Sequence, residues 1–336
     1  MIIVRAPLRI SFVGGGTDLP DFYHKTPGKV ISAAINKYVY VVINPTPLQK
    51  GITAHYSIAE TVIQAKDLKN NRIRETMLSL GIEKDLMEIG IFSHLPVGTG
   101  LGGSSSFTVG LVKGLSTYLG QRMDKTEIAE LASKIEIERL KEPIGKQDHY
   151  AATFGGFNVL QFNPDESVDV KPLLIDYKTR LDFEKNLLVF FTGFTRNASD
   201  ILNEQKNNTV KNMGTLTAMV DLVDQFEEKL MTANFKGLGE LLNENWFRKK
   251  SLASKISSGV IDRLYNVGVK SGAWGGKILG AGGGGCILFL APLHQKEKIK
   301  AALAKEAKKL KLNDFKEIPV KFVHSGVEIV SNSWFN

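Results

Sequence analysis

Two hydrophobic periods alternate along this chain. Ile2 to Ala6, Val39 to Ile43 and Glu88 to Leu95 read as strands, and Phe107, Leu111, Leu115 and Leu119 then recur every four residues. Ile128, Leu131 and Ile135 repeat that helical spacing behind Asp124-Lys125-Thr126-Glu127, a capping-box pattern, so two helices are expected up to about Leu140. Phe157 to Phe162 reads as another strand, followed by a loose segment from Asn163 to Ser167. Asn186 to Phe191 is apolar enough for a buried strand. Helical stretches are expected around 196–231 and 233–254, then a strand at Cys286 to Leu290, a lysine-bearing helix, and a last strand near Val320 to Val330. Strands and helices interleave without strict βαβ regularity, which predicts an α+β protein rather than a doubly wound sheet. The boundary is placed near 170–185, giving domains of residues 1–175 and 176–336.

With 336 residues and 43% hydrophobic content, each domain is expected to own a core. No apolar run approaches the ~20 residues of a membrane span, and Met1 to Pro7 is too short for a signal peptide, so a cytoplasmic protein with no membrane partner is expected. Cys286 is the sole cysteine and the six histidines show no metal-ligand spacing. The net charge of +8 comes largely from lysines between Gln295 and Lys311. Ile299, Leu303, Glu306 and Leu310 put most of these on the wet side of one helix, a solvated face rather than a nucleic-acid surface.

The candidate chemistry starts at Pro96-Val97-Gly98-Thr99-Gly100-Leu101-Gly102-Gly103-Ser104-Ser105-Ser106, between a strand and a helix. Glycines let backbone N–H groups curl around an anion, and the helix start adds unpaired N–H groups and the positive end of its dipole. The stretch also satisfies G-x-G-x-x-G, but no second strand ends in an acidic residue about 20 positions on, as a dinucleotide fold needs. It is not a Walker A loop either, since Ser104 stands where that motif keeps its lysine. Three further clusters accompany it. They are Ala6 to Asp18, containing Gly14-Gly15-Gly16-Thr17-Asp18; Glu136 to Tyr150, containing Gly145-Lys146-Gln147-Asp148; and Lys277 to Cys286, containing Gly280-Ala281-Gly282-Gly283-Gly284-Gly285.

Taken together, in order and across nearly the full length, these motifs resemble the GHMP small-molecule kinases, the family of galactokinase, homoserine kinase, mevalonate kinase and phosphomevalonate kinase. Gly14 to Pro20 and Gly145 to Asp148 look most like the D-glycero-D-manno-heptose 7-phosphate kinases and fucokinase. The resemblance implies an N-terminal domain like the second domain of ribosomal protein S5, a ferredoxin-like C-terminal domain, and a site between them. It also implies ATP, Mg²⁺ and phosphoryl transfer to a sugar or sugar-phosphate hydroxyl, in which the protein supplies mainly position and charge. Pro96 to Ser105 would wrap the ATP phosphates. Ser104, or its neighbour Ser105, and Glu136 would associate with Mg²⁺, as suits a hard ion. Asp148 matches the catalytic aspartate and Arg9 the cation beside it. Gly15, Gly16, Thr17 and Asp18 would meet the substrate, and Gly282 and Gly283 would bring backbone of the second domain close to it. Arg196, after a strand and at a helix start, is a candidate for a second anion site, with Lys29 and Lys146 behind it. The expected product is a sugar 1-phosphate, with heptose 7-phosphate as acceptor. A fucokinase or other hexose 1-kinase and a non-catalytic sugar and ATP sensor are the alternatives, and a homodimer is among the assemblies expected.

Overall fold

The computed structural model of the chain describes residues 1–195 and 198–334. Its first part runs β1 (Ile2–Val13), α1 (Pro20–Tyr23), β2 (Gly28–Pro45), β3 (Ile52–His55), β4 (Ala59–Val62), α2 (Asn71–Ser79), β5 (Met87–Ser93), α3 (Gly103–Tyr118), α4 (Lys125–Lys134), α5 (Gln147–Phe154), β6 (Phe157–Phe162) and β7 (Val168–Pro172). The second part runs α6 (Tyr177–Asn186), β8 (Leu187–Phe191), α7 (Ala198–Asn207), α8 (Met213–Met231), α9 (Phe235–Lys250), α10 (Gly259–Lys270), β9 (Gly275–Ile278), β10 (Cys286–Leu290), α11 (Lys296–Lys309), β11 (Lys316–Glu317) and β12 (Glu328–Asn332).

One sheet has the order β12-β1-β2-β5-β3-β4, with β6 and β7 branching from β2; the other has the order β11-β8-β10-β9. The long β2 is shared, its early residues pairing with β6 and its late residues with β5. Strand β1 extends well past Ala6 to Val13. Alternation is visible only at its start, because Ala6 to Val13 are all buried, and burial on both faces erases the period of two. Where β1 and β2 slip register between Ser11 and Val13, the fully buried Lys277 of β9 donates to the carbonyls of Ser11 and Phe12 at 2.9 and 2.7 Å. Helix α3 lies against β1 and β2, and glycines make this close: a side chain at Gly110 or Gly114 would press on Val41 or Ile43. That packing fixes where the first turn of α3 points.

Besides a core centred in each half, the two halves share another. Leu8, Ile10 and Phe12 of the first sheet, Val189 and Leu288 of the second, and Phe226 and Leu242 of α8 and α9 form one continuous core. At its centre Phe12 packs on Phe157, Phe183 and Phe226 with centroids 5.3 to 5.4 Å away, and burying one such ring contributes about 2–3 kcal/mol. Within the expected 176–336 domain, β12 pairs antiparallel with β1 and returns the tail to the first sheet. The capping box of α4 forms as read, with Asp124 and Glu127 side chains each accepting from the other's N–H, and Ile299 and Leu303 of α11 point inward. No helix among the described residues is long and apolar enough to cross a membrane.

Candidate active site

A cavity of about 410 Å³ opens where β1, the glycine loop, α5, α7 and α9 converge. Arg9 sits in the buried half of β1, and Asp148 in the first turn of α5. Their side chains form a two-pronged pair: Arg9 Nε and Nη2 donate to the two Asp148 oxygens, each at 2.7 Å, while Nη1 donates to the Gly100 carbonyl at 2.8 Å. Arg9 is only 4% exposed at its side chain, whereas Asp148 keeps 23% open to the cavity. A two-pronged guanidinium fixes the carboxylate's rotamer, leaving its remaining lone pairs for an incoming hydroxyl.

The loop ahead of α3 turns through three left-handed glycines, Gly98, Gly100 and Gly102, with φ of +83°, +77° and +77°. Leu101 is buried, and its carbonyl accepts from Arg9 N at 2.9 Å, so one apolar side chain and one strand bond anchor the loop. Val97 to Gly100 and Gly102 to Ser105 line the cavity; Pro96 is exposed at the entrance to the loop. The N–H groups of Gly103, Ser104 and Ser105 start a helix and have no acceptor within it. The second glycine run serves a different purpose. A side chain at Gly280 would strike Gly100, and one at Gly100 would strike the Leu279 carbonyl, so the two motifs press backbone on backbone. Cys286 N also donates to the Thr99 carbonyl at 2.9 Å. Gly280 and Ala281 line the cavity, while Gly282 and Gly283 turn to Ile256, whose carbonyl accepts from Gly283 N.

Asp18 is buried beside the pair. It accepts from Gly16 N at 3.0 Å and from Gln147 Nε2 at 2.9 Å, and burial together with the Asp148 charge pushes its carboxyl up. Gly16 lines the cavity; Gly15 lies behind it, and the Thr17 hydroxyl is spent on main chain at Gly14 and Lys29. Glu136 lies in a wide π turn, Ile135–Arg139, which brings it inward while Glu138 stays exposed. Its Oε1 accepts from Arg72 Nε at 2.9 Å and Thr108 at 2.6 Å, and its Oε2 from Ser105 and His149, both at 2.9 Å. Burial alone would raise this carboxyl, but His149, Arg72 and Thr108 outweigh it and hold it far below the usual carboxylate range. As for a divalent ion, Ser104 lines the cavity and fits, but Glu136 has both oxygens engaged and a guanidinium at hand, so direct ligation there requires Arg72 to withdraw.

Of the anion-site candidates, Arg196 lies outside the described residues. Lys29 is paired with Asp224, and Lys146 with Glu130 and Glu166, which removes both as free cations. The structure instead adds Arg72 and Lys249 to the cavity wall, with Gln147 and Gln205. The signal for Gln147 was its place beside Asp148; nothing local distinguishes Lys249 in the run Arg248-Lys249-Lys250.

Residues 65–156 match the GHMP kinases N terminal domain and residues 226–309 the GHMP kinases C terminal domain. A relative from Campylobacter jejuni, "D-glycero-alpha-D-manno-heptose 7-phosphate kinase", is 32% identical over 91% of this chain and 94% of its own. The chain is a GHMP kinase. Members of this sugar-kinase group are phosphotransferases with an alcohol acceptor, so this GHMP kinase has ATP as its co-substrate. A crystal structure titled as a D-glycero-D-manno-heptose 1-phosphate kinase from Bacteroides thetaiotaomicron superposes with a TM-score of 0.80 over 99% of both chains at 23% identity. That of a putative sugar kinase from Campylobacter jejuni gives 0.74 at 26% identity, over 98% of this chain and 97% of its own. The likeness extends over both halves, so the two-domain GHMP kinase fold holds throughout.

Proposed function

We propose that this kinase transfers the γ-phosphoryl group of ATP to the anomeric hydroxyl of D-glycero-D-manno-heptose 7-phosphate, giving the 1,7-bisphosphate used to make nucleotide-activated heptose. The observation that carries the transfer is the Arg9–Asp148 pair standing at the glycine loop. Asp148 accepts or orients the proton of the attacking hydroxyl, and Arg9 holds it in position while countering charge on the phosphoryl group. The N–H groups from Gly98 to Ser105 hold the triphosphate, so position and fixed dipoles replace the absent lysine. Mg²⁺ bound with ATP would neutralise phosphate charge; Ser104 would offer it a hydroxyl, and Glu136 would ligate it only if Arg72 gave way. Asp18, steered by Gln147, is the partner for sugar hydroxyls. A cytoplasmic setting, where ATP is supplied, goes with this reading.

The sugar assignment is supported by the similarity to the Campylobacter enzyme over most of both chains. One observation favours a second reading, a fucokinase or other hexose 1-kinase: Lys29 and Lys146 are both neutralised by carboxylates, and neither is left for a sugar's own phosphate. The intact Arg9–Asp148 pair speaks against a sensor that binds without turnover. A coupled ADP-release assay over a panel of sugars and sugar 7-phosphates decides. Heptose 7-phosphate is expected to exceed unphosphorylated sugars in kcat/KM by about tenfold or more, as a polar site left unfilled rejects its poorer analogue. Equal or faster turnover of an unphosphorylated sugar overturns the heptose assignment, and binding without turnover of any sugar overturns the kinase reading.

A further inference from the structure

We propose that Lys249 is a second cation for phosphoryl oxygens in this site, supplied by the C-terminal half of the chain. The proposal rests on the kinase reading for the presence of a phosphoryl group and on the following observations for the residue.

Helix α9 is fixed at its start and in its second half. Asn234 caps its start, and Asn245 Oδ1 accepts from Gly14 N at 3.2 Å. Lys249 follows Asn245 by four residues, which puts it one turn further along the same face, on the cavity wall. It is 6% exposed, and its Nζ donates to the Gly280 carbonyl, at the place where the second glycine run presses on Gly100. An ammonium carries three donors, and among the described residues no carboxylate forms an ion pair with this one. The nearby acids are committed: Asp148 to Arg9, Asp18 to Gly16 and Gln147. Other lysines differ. Lys250 pairs with Asp262, and Lys277, equally buried, has two main-chain carbonyls and no cavity. Burying an ammonium with incomplete bonding is costly, and it is tolerated when a ligand completes it. The charged groups that act on Lys249 are Arg9 on one side and Asp18 and Asp148 on the other, and Lys249 in turn acts on the buried Lys277. Burial, then Arg9, draws its pKa down to about 8, so in mildly alkaline solution the free protein holds part of it neutral until an anion restores the charge. A compact ammonium beside the bidentate Arg9 can follow a moving phosphoryl oxygen.

Phosphoryl oxygens reach this point from two sources, the transferring group of ATP or a phosphate already on the acceptor. Lys249→Met and Lys249→Arg separate them. K249M is expected to lose about 100-fold or more in kcat/KM, the scale of a removed transition-state donor, and K249R to regain at least tenfold of that. A loss in kcat with every acceptor assigns the transferring group; a rise in KM confined to phosphorylated acceptors assigns the acceptor's phosphate. The alkaline limb of the kcat/KM profile, expected near pH 8 in the unmodified protein, should move upward in K249R. Calorimetric titration with inorganic phosphate and with a non-hydrolysable ATP analogue, without sugar, should show at least one binding about tenfold more weakly to K249M. Unchanged affinity for both, or equal losses in K249M and K249R with a parallel fall in Tm, overturns the proposal and leaves Lys249 as a strut for Gly280. If K249M does not fold, the alkaline limb of K249R decides. If the unmodified protein turns over no sugar, the kinase reading fails, and the two titrations still judge Lys249.

Discussion

Two arginine–carboxylate pairs share this cavity, and they differ in what they leave free. Arg9–Asp148 has a buried cation and a carboxylate that still faces the cavity; Arg72–Glu136 has a carboxylate with no exposure and donors on both oxygens. A charge pair with one open face can do chemistry, while a saturated one organises its surroundings. Glu136 ties the first turns of α3, through Ser105 and Thr108, to α2 through Arg72 and to α5 through His149. Since α3 carries the free N–H groups at the cavity and α5 carries Asp148, the second pair sets the geometry in which the first pair works.

The sharpest way to break this contrast is Asp148→Asn. Removing the proton acceptor should lower kcat by about 10²- to 10⁴-fold, the range of general acid–base effects. ATP affinity should stay within about threefold, because the loop and helix N–H groups remain in place. Steady-state kinetics and calorimetry with an ATP analogue check both halves. A kcat within a few-fold of the unmodified protein would sink the catalytic role of Asp148.

Glu136→Gln should act on the other side of the comparison. Breaking a buried pair by neutralising one partner costs about 3–5 kcal/mol, and the lower end is expected because Arg72 keeps Glu142 at 2.5 Å. Urea unfolding measures that loss. If Glu136 is scaffold, kcat at saturating Mg²⁺ falls less than about tenfold once folding is accounted for. A Mg²⁺ requirement raised by two orders of magnitude would instead show that the carboxylate reaches the ion, with Arg72 displaced.

Arg9 and Asp148 were legible in the sequence as motif members, and the structure brings them together from β1 and α5 across 139 positions. The shape of the loop was legible too, because glycines between a strand and a helix permit the left-handed turns that Gly98, Gly100 and Gly102 adopt. The second glycine run was read only in part: glycine density marks close backbone approach, but it does not say what approaches. Gly280 meets Gly100, whereas Gly282 and Gly283 meet Ile256. Lys249 and His149 escaped because their significance comes from burial, and Arg72 because its partners are distant in sequence; α9 shows its lysines in a run that reads as solvated until tertiary packing covers one. The shared core escaped for the same reason: Phe12 and Phe226 are apolar in any reading, and only the fold puts them in one cluster.

The smallest expected effect is the pH dependence of folding, and it isolates Glu136 cleanly. A carboxyl held below its unfolded value contributes stability that is fully present above about pH 4.5 and is lost as the pH falls through its folded value. Below pH 4.5 the unfolded chain binds the proton first, so stability should fall with acid by up to about 1.4 kcal/mol per pH unit for this one group. Asp18 has the opposite sign: burial raises it, so its contribution is present in acid and lost as the pH rises through its folded value. Glu166 is lowered to about 2 but half exposed, so solvent screens most of its share. Subtracting the E136Q unfolding free energies from those of the unmodified protein between pH 3 and 6 cancels Asp18 and Glu166. The difference should be flat above pH 5 and shrink toward zero in acid. A difference independent of pH across that range would mean that Glu136 is not the charged centre of the network, and the division between an open and a saturated pair would fall with it.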